Sequence, residues 1–87
     1  MKFNSNKERR FYWESLNISY SNEEMDKALA TLKSDTSKVL QLHYLHKYSL
    51  KEIAKLLNRS IAVIRNHHNR GIYKLYRHFN PRSSDIV

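Results

Sequence analysis

Cysteine is absent from the 87-residue chain, and glycine and proline occur once each. Without cysteine, neither a disulfide framework nor a thiolate metal site is possible. A single glycine and a single proline provide little turn chemistry for hairpins, which favours helices with short connections. No segment approaches the roughly 18 apolar residues of a membrane-spanning helix. The first ten residues also lack the apolar segment of a secretory signal. We therefore expect one small, cytoplasmic, all-α domain.

The net charge of +8 is concentrated in the second part of the chain. Residues 1–35 contain six Lys or Arg and six Asp or Glu, whereas residues 36–87 contain ten and two. Between Glu52 and Asp85 there is no acidic residue. A one-sided basic segment is typical of a protein that binds a polyanion, and a solvated basic face kept for solubility is the alternative.

Apolar residues at helical spacing predict a small all-α bundle of four to five helices with a C-terminal helix-turn-helix. We divide the chain into an N-terminal arm or short helix (1–21), a helix-turn-helix DNA-binding domain (22–80) and a flexible tail (81–87). Residues 1–6 are expected to be disordered, with Phe3 as the only anchor.

The helices upstream of the helix-turn-helix are predicted as follows. The first spans 7–16, with Phe11, Tyr12 and Leu16 on one side and Trp13 packed onto the domain. A linker at 17–22 leads to a helix capped by Ser21 or Asn22, whose apolar stripe contains Met25, Ala28, Leu29 and Leu32. A break at 34–36 precedes a third helix that runs to about Lys47, with Val39, Leu40, Leu42, His43, Leu45 and His46 as its interior run.

The segment from Tyr48 to Leu75 predicts two helices joined by a tight turn. Ser49 and Glu52 have the spacing of a capping box. Asn58 occupies a position where a left-handed backbone is usual, and Ser60 can cap the second helix. Gly71 inside that helix suggests the close approach of another helix, because glycine there otherwise costs up to about 1 kcal/mol. Such a pair of helices is the unit whose second helix enters the DNA major groove.

The second helix carries groups suited to nucleic acid. If Ile64, Gly71 and either His67 or His68 face inward, its first turns present Ile61, Ala62, Arg65, Asn66 and Asn69 outward. Arginine is the commonest reader of guanine and asparagine of adenine. The basic residues farther along, Arg70, Lys74 and Arg77, suit phosphates, which supply affinity rather than sequence choice.

Other chemistry has weaker support in the residues. His43 and His46 have a spacing that two metal ligands could use, but no cysteine or carboxylate completes a site. The adjacent His67 and His68 diverge by about 100° around a helix and cannot chelate one ion together. The two histidines are predicted either to contact phosphates or base edges, or to divide into one nucleic-acid contact and one core residue.

The aromatic stripe Tyr73, Tyr76 and Phe79 favours core packing or tyrosine-to-phosphate contacts over a stacking platform for single strands. Without a nucleophile–base motif or a Gly-rich loop we expect no enzyme, and we expect no cofactor, metal or small-molecule ligand.

The run Y-S-L-K-E-I-A-K-L-L-N-R-S-I-A-V-I-R-N followed by R-G-I-Y-K-L resembles region 4 of sigma-70-type RNA polymerase sigma factors, and more loosely LuxR-type output domains. The preceding L-K-S-D-T-S-K-V-L-Q-L-H-Y-L is similar to the helix that opens the same domain. The resemblance implies a domain that reads the promoter −35 element and touches the β-subunit flap of the polymerase core. It also implies base or backbone contacts for Arg65 and Asn66 and a cap beside a phosphate for Ser60, and it places Arg70 and Lys74 at basic positions.

The chain also departs from that family. Ile61, Ala62 and Val63 stand where primary sigma factors carry charged or polar readers, and a histidine at 67 or 68 replaces an apolar core position. The promoter-melting region is absent from the sequence. A region-4-only regulator, a subunit of a split sigma factor, a phage or mobile-element activator and an excised domain therefore remain open.

Two function hypotheses follow from the residues and the resemblance. The first is a transcription regulator that binds duplex DNA, with base contacts from Ile61, Ala62, Arg65, Asn66 and Asn69 and phosphate contacts from Ser49, Arg59, Ser60, His67, Arg70, Lys74 and Arg77. The second is a protein-interaction module that binds RNA polymerase or a companion sigma subunit and has only non-specific DNA affinity. The apolar start of the second helix favours the latter. Neither hypothesis involves a membrane.

Overall fold

The structure is a computed structural model that describes residue 3 and residues 5–81. Over these residues the chain forms five helices: α1 (Asn6–Ser19), α2 (Asn22–Ala30), α3 (Ser34–Tyr44), α4 (Leu50–Leu56) and α5 (Ile61–Phe79). No strand occurs among them, so the all-α prediction is confirmed, with α4 and α5 as the helix-turn-helix. The disorder predicted for residues 1, 2 and 4, and the flexibility predicted for 82–87, lie outside the described residues.

Serine side chains cap four of the five helices. The hydroxyl oxygens of Ser5, Ser21, Ser49 and Ser60 each accept a hydrogen bond of 3.0–3.2 Å from the backbone N–H three residues later. Ser21 and Ser49 complete capping boxes, because their backbone N–H groups donate to the glutamates at those third positions. The bonds satisfy N–H groups that the start of a helix leaves without an intrahelical partner. The caps predicted at Ser21, Ser49 and Ser60 are confirmed.

Helix α1 is longer than predicted and packs through a different face. It begins at Asn6 and extends to Ser19, so the predicted disorder at residues 5–6 and most of the predicted linker are wrong. Trp13 and Leu16 are buried, as expected for both. Phe11 is 75% exposed, so its predicted position on the packed side is wrong. The extra turn positions Tyr20 to stack on Phe79, with ring centroids 4.1 Å apart.

Helix α3 is displaced from its predicted limits. The predicted break at Ser34–Thr36 is its first turn, because the turn that separates it from α2 lies at 31–33. It ends at Tyr44, three residues before Lys47, which adopts a left-handed φ of 63°. The backbone N–H of Tyr48 then donates to the carbonyl of Leu42 at 3.0 Å and closes the end of the helix. Leu45 and His46, which were predicted to be interior, are therefore exposed.

The buried side chains form two groups, and both include residues of α3 and α5. The larger group joins α1, α2, α3 and α5 and contains Trp13, Leu16, Met25, Ala28, Leu29, Leu32, Leu40, Tyr44, Ile72 and Leu75. The smaller group joins α3, α4 and α5 and contains Val39, Ile53, Ala54 and Ile64. The stripe predicted on α2 is buried throughout. Helix α5 is held by both groups, so its orientation is fixed along most of its length.

The aromatic stripe of α5 packs back on the N-terminal part of the chain. The Tyr76 ring lies 5.7 Å from Tyr12 and 6.0 Å from Phe3, between ring centroids, and Phe79 stacks on Tyr20. Aromatic contacts of this kind stabilise a small core by area and by geometry. The core interpretation of Tyr76 and Phe79, and Phe3 as an anchor, are confirmed.

Candidate nucleic-acid interface

The turn between α4 and α5 sets the position of the second helix. Asn58 has a left-handed φ of 54°, as predicted, and the backbone N–H of Arg59 donates to the carbonyl of Ala54 at 2.9 Å. Asparagine tolerates this conformation better than most residues. The turn brings Ile64 of α5 into the same buried group as Ile53 of α4. The two helices are thus joined by a short turn and a shared apolar contact.

The crossing of α5 over α3 depends on Gly71. A Cβ atom at this position would lie 2.8 Å from Leu40 Cδ1 and 3.0 Å from Thr36 Cγ2. A Cβ atom this close would force the fully buried Leu40 to shift, whereas glycine lets the helices approach without any displacement. The predicted reason for Gly71 is confirmed.

The buried face of α5 fixes which side chains face outward. Its buried residues are Ile64, His68, Gly71, Ile72 and Leu75. Four of the five predicted base readers, Ile61, Ala62, Arg65 and Asn66, are exposed on the first two turns. Asn69 is only half-buried, and its Oδ1 lies 3.2 Å from His68 Nδ1. The base contacts themselves stay predictions.

Five of the seven predicted phosphate contacts are exposed cations of α5 or helix-capping serines. Arg70, Lys74 and Arg77 are exposed along α5, and the Arg77 guanidinium lies 6.0 Å from the centroid of the Tyr73 ring. Ser49 and Ser60 already use their hydroxyl oxygens as helix caps, so each has its hydroxyl proton to offer a phosphate. Phosphate contacts at all these positions stay predictions.

Arg59 has an intramolecular partner. Its Nη2 lies 3.7 Å from Asp35 Oδ2, and both side chains are more than half exposed. An exposed ion pair of this kind contributes about 0–1 kcal/mol. The pair therefore costs little to break, and a phosphate could compete for the guanidinium.

His67 and His68 have different surroundings. His67 is half-buried, and its Nδ1 lies 3.0 Å from Thr36 Oγ1 on α3. His68 is fully buried, with its Nε2 2.5 Å from the Tyr44 hydroxyl. The sequence left open whether both histidines contact nucleic acid or one of them lies in the core. The structure confirms that one, His68, is a core residue. A phosphate contact by His67 stays a prediction.

Burial controls the protonation of the His68 imidazole. Desolvation lowers the pKa of His68 to about 4. A neutral ring also satisfies its neighbours, because Nδ1–H can donate to Asn69 Oδ1 while Nε2 accepts from the Tyr44 hydroxyl. Burial likewise raises the pKa of Tyr44 to about 12. The pair thus remains neutral near pH 7 and anchors α5 to α3.

Sequence reasoning missed the cation next to this pair. The Arg10 guanidinium of α1 lies 5.3 Å from the centroid of the Tyr44 ring, and its Nη2 is 3.4 Å from His43 Nε2. Trp13 stacks on the same tyrosine, with ring centroids 4.7 Å apart. The sequence placed Arg10 only on an exposed side of α1. The sequence carries no local signal for this contact, because it depends on how α1 packs against α3.

The described part of the chain shows no arrangement for metal or membrane chemistry. No group of three or more His, Asp or Glu side chains among residues 3 and 5–81 could hold a metal ion. No helix in the same residues is long and apolar enough to cross a membrane.

Fold and site together define a class: a small helical domain whose C-terminal helix-turn-helix exposes a basic second helix, as DNA-binding domains do. The family model for sigma-70, region 4 matches residues 22–75, which is more than half of the chain. The chain therefore belongs to the sigma-70 region 4 family, whose helix-turn-helix domains bind DNA and regulate transcription and are not enzymes. No curated protein and no solved structure matches the chain. Helix α1 lies entirely before the matched segment, although it packs into the same core.

Proposed function

We propose that the domain binds duplex DNA of the promoter −35 type by placing the first turns of α5 in the major groove. The observation that carries the proposal is the division of α5 into two faces. One face is buried against α3 and α4, and the opposite face exposes Arg65, Asn66 and Arg70. No acidic residue follows Glu52 until Asp85, so DNA phosphates meet no repulsive charge along the helix.

We expect base contacts near the start of α5 and phosphate contacts farther along it. Arg65 and Asn66 lie near the N-terminus, the part of a recognition helix that reaches base edges. Arg70, Lys74 and Arg77 continue toward the C-terminus and would neutralise phosphates. This order predicts that the upstream pair sets the preferred sequence and the downstream group sets the affinity.

The same proposal includes the transcription machinery. Family membership supports a contact with the RNA polymerase core, for which we propose the β flap, or with a companion sigma subunit. Access to DNA and polymerase would place the protein in the cytoplasm.

A second candidate function is a protein-interaction module with only non-specific DNA affinity. The exposed apolar side chains around the turn favour it: Leu56 at 57%, Val63 at 39% and Ile61 at 37%. Such side chains suit a protein groove, although the exposed Arg59 and Arg65 lie in the same stretch of the chain.

Selection from a pool of random duplexes separates the two candidates. Binding is measured at about 50 and 200 mM salt, with and without polymerase core. We expect enrichment of one sequence class that survives the higher salt and disappears in Arg65→Ala or Asn66→Ala. The matched control is Lys27→Ala, which removes an exposed cation from α2 and should leave the selected sequence unchanged. Uniform binding with a steep salt dependence would refute sequence-specific recognition.

A further inference from the structure

The first turn of α5 exposes three consecutive apolar side chains in the part of the helix that approaches the bases. Ile61 and Val63 are 37% and 39% exposed, and Ala62 between them is exposed too. Three consecutive residues span about 200° of a helix circumference. The apolar surface therefore covers the front of the first turn, with Ala62 at its centre.

This apolar turn lies directly beside the polar readers. Residues four apart stack on one face of a helix, so Ile61 lies one turn before Arg65 and Ala62 one turn before Asn66. The buried side chain of the same turn is Ile64, which packs against α3 and α4. Ile61 and Ala62 do not belong to either buried group, so the core does not require their apolar character.

Base edges in the major groove differ in what they offer to an apolar side chain. Each base presents hydrogen-bonding groups there, but of the four bases only thymine carries a methyl group, at C5. Placing Ile61 or Ala62 against a donor or acceptor would leave that group without a partner, which is costly. Contact with a methyl group removes apolar surface from water on both sides.

We infer that Ile61 and Ala62 are specificity residues that recognise the C5 methyl group of thymine at the end of the site next to the bases read by Arg65 and Asn66. The inference rests on the proposed function and deepens it. The target would contain one or two thymines that are read by contact with methyl groups rather than by hydrogen bonds. A 5-methylcytosine at the same position presents the same group and would be accepted in part.

Replacement of thymine by deoxyuridine tests the inference, since it removes the methyl group and keeps the base pair. In the duplex selected above, each thymine is replaced in turn and the dissociation constant is measured. We expect the affinity to fall about fourfold at one or two adjacent positions, equivalent to about 0.8 kcal/mol for one buried methyl. The remaining thymines should change affinity by less than about 1.5-fold.

Protein variants assign the effect to the two residues. Ile61→Ala and Ala62→Ser should each reduce the uracil penalty at one position to less than about twofold, because the methyl group then has no apolar partner. The matched controls are Ile18→Ala and Ala30→Ser, which make the same changes at exposed positions of α1 and α2. Both controls should keep the full penalty. Circular dichroism verifies that each variant retains its helical content.

The outcomes distinguish this inference from the proposed function. Uniform binding of all duplexes refutes the proposed function and the inference with it. Selective binding that no uracil substitution weakens, or a penalty that persists in both variants, overturns the inference alone. If Ile61→Ala abolishes binding to polymerase core but leaves DNA selection and the uracil penalties unchanged, the apolar turn serves a protein partner, and this result would also overturn the inference.

Discussion

The buried imidazole of His68 should make the stability of the domain depend on pH. The ring is fully buried and its neutral form fits both neighbours, Tyr44 and Asn69. Protonation would place a charge where no water can solvate it and would add a proton to Nε2, which faces the Tyr44 hydroxyl. For this reason burial lowers the pKa of His68 from 6.5 to about 4.

The magnitude follows from the difference between the folded and unfolded chain. The unfolded chain takes up a proton on His68 near pH 6.5, but the folded chain does so only near pH 4. Between these values the unfolded state binds more protons, so the free energy of unfolding falls as the pH falls. At about 1.36 kcal/mol per pKa unit, the decrease is about 2 kcal/mol at pH 5 and about 3 kcal/mol when complete. Burial also lowers the pKa of His43, which adds a decrease of the same sign.

Urea unfolding followed by far-UV circular dichroism measures this decrease. The free energy of unfolding is compared at about pH 7.5 and pH 5, where most carboxylates remain ionised. We expect a difference of about 2 kcal/mol or more in the unchanged protein. His68→Gln should show less than half of this difference, because glutamine still accepts a hydrogen bond but does not titrate. His78→Gln, at an exposed histidine of the same helix, is the matched control and should be destabilised by acid as much as the unchanged protein.

An equal decrease in His68→Gln and in the unchanged protein would refute the reasoning. If that variant does not fold, an NMR titration of the His68 ring in the unchanged protein gives the answer directly. A midpoint below about pH 5 supports the argument, and a midpoint near the ordinary value of about 6.5 contradicts it.

Three further predictions follow from the packing and the charges. Gly71→Ala should lower the free energy of unfolding by about 1 kcal/mol or more, because the clash at 2.8 Å with the buried Leu40 outweighs the helix propensity of alanine. Urea unfolding measures this change, and a variant of equal or higher stability would contradict the prediction. Ser49→Ala should cost about 1 kcal/mol in the same assay because it removes the cap, and an unchanged value would show that the cap is redundant. Arg70→Ala and Lys74→Ala should each weaken all duplexes alike and reduce the salt slope by about 1, whereas an altered sequence preference would show that they read bases.

The parts of the fold that the sequence predicted well depend on local interactions. The capping box at Ser49 and Glu52 needs only residues three apart, and the left-handed Asn58 needs only its own side chain. Gly71 was informative because glycine inside a helix is unfavourable unless close packing requires it. These signals are contained within a few neighbouring residues, and the structure reproduces each of them.

The parts that the sequence missed depend on residues far apart in the chain. The sequence predicted that both Phe11 and Trp13 of α1 pack inward, but only Trp13 does so, because it stacks on Tyr44 of α3. The assignment of His68 rather than His67 to the core likewise required the position of Tyr44. In the candidate interface, exposure at Ile61 and Ala62 was predictable from the inward direction of Ile64. The hydrogen bond between Asn69 and His68 was not.

The residues of α5 that stabilise the fold lie on its buried face, and those that would select the DNA sequence lie on its exposed face. Ile64, Gly71 and Leu75 hold the helix in place through contacts on one side, and they lie within the segment that matches the family. Ile61 and Ala62 belong to neither buried group, so their substitution disturbs little of the packing. A domain built in this way can change the bases it prefers at a limited cost in stability. Ile61→Ala should therefore alter the selected sequence while its free energy of unfolding falls by less than about 1.5 kcal/mol, because Ile61 is 37% exposed and a fully buried Ile→Ala change costs about 2–5 kcal/mol.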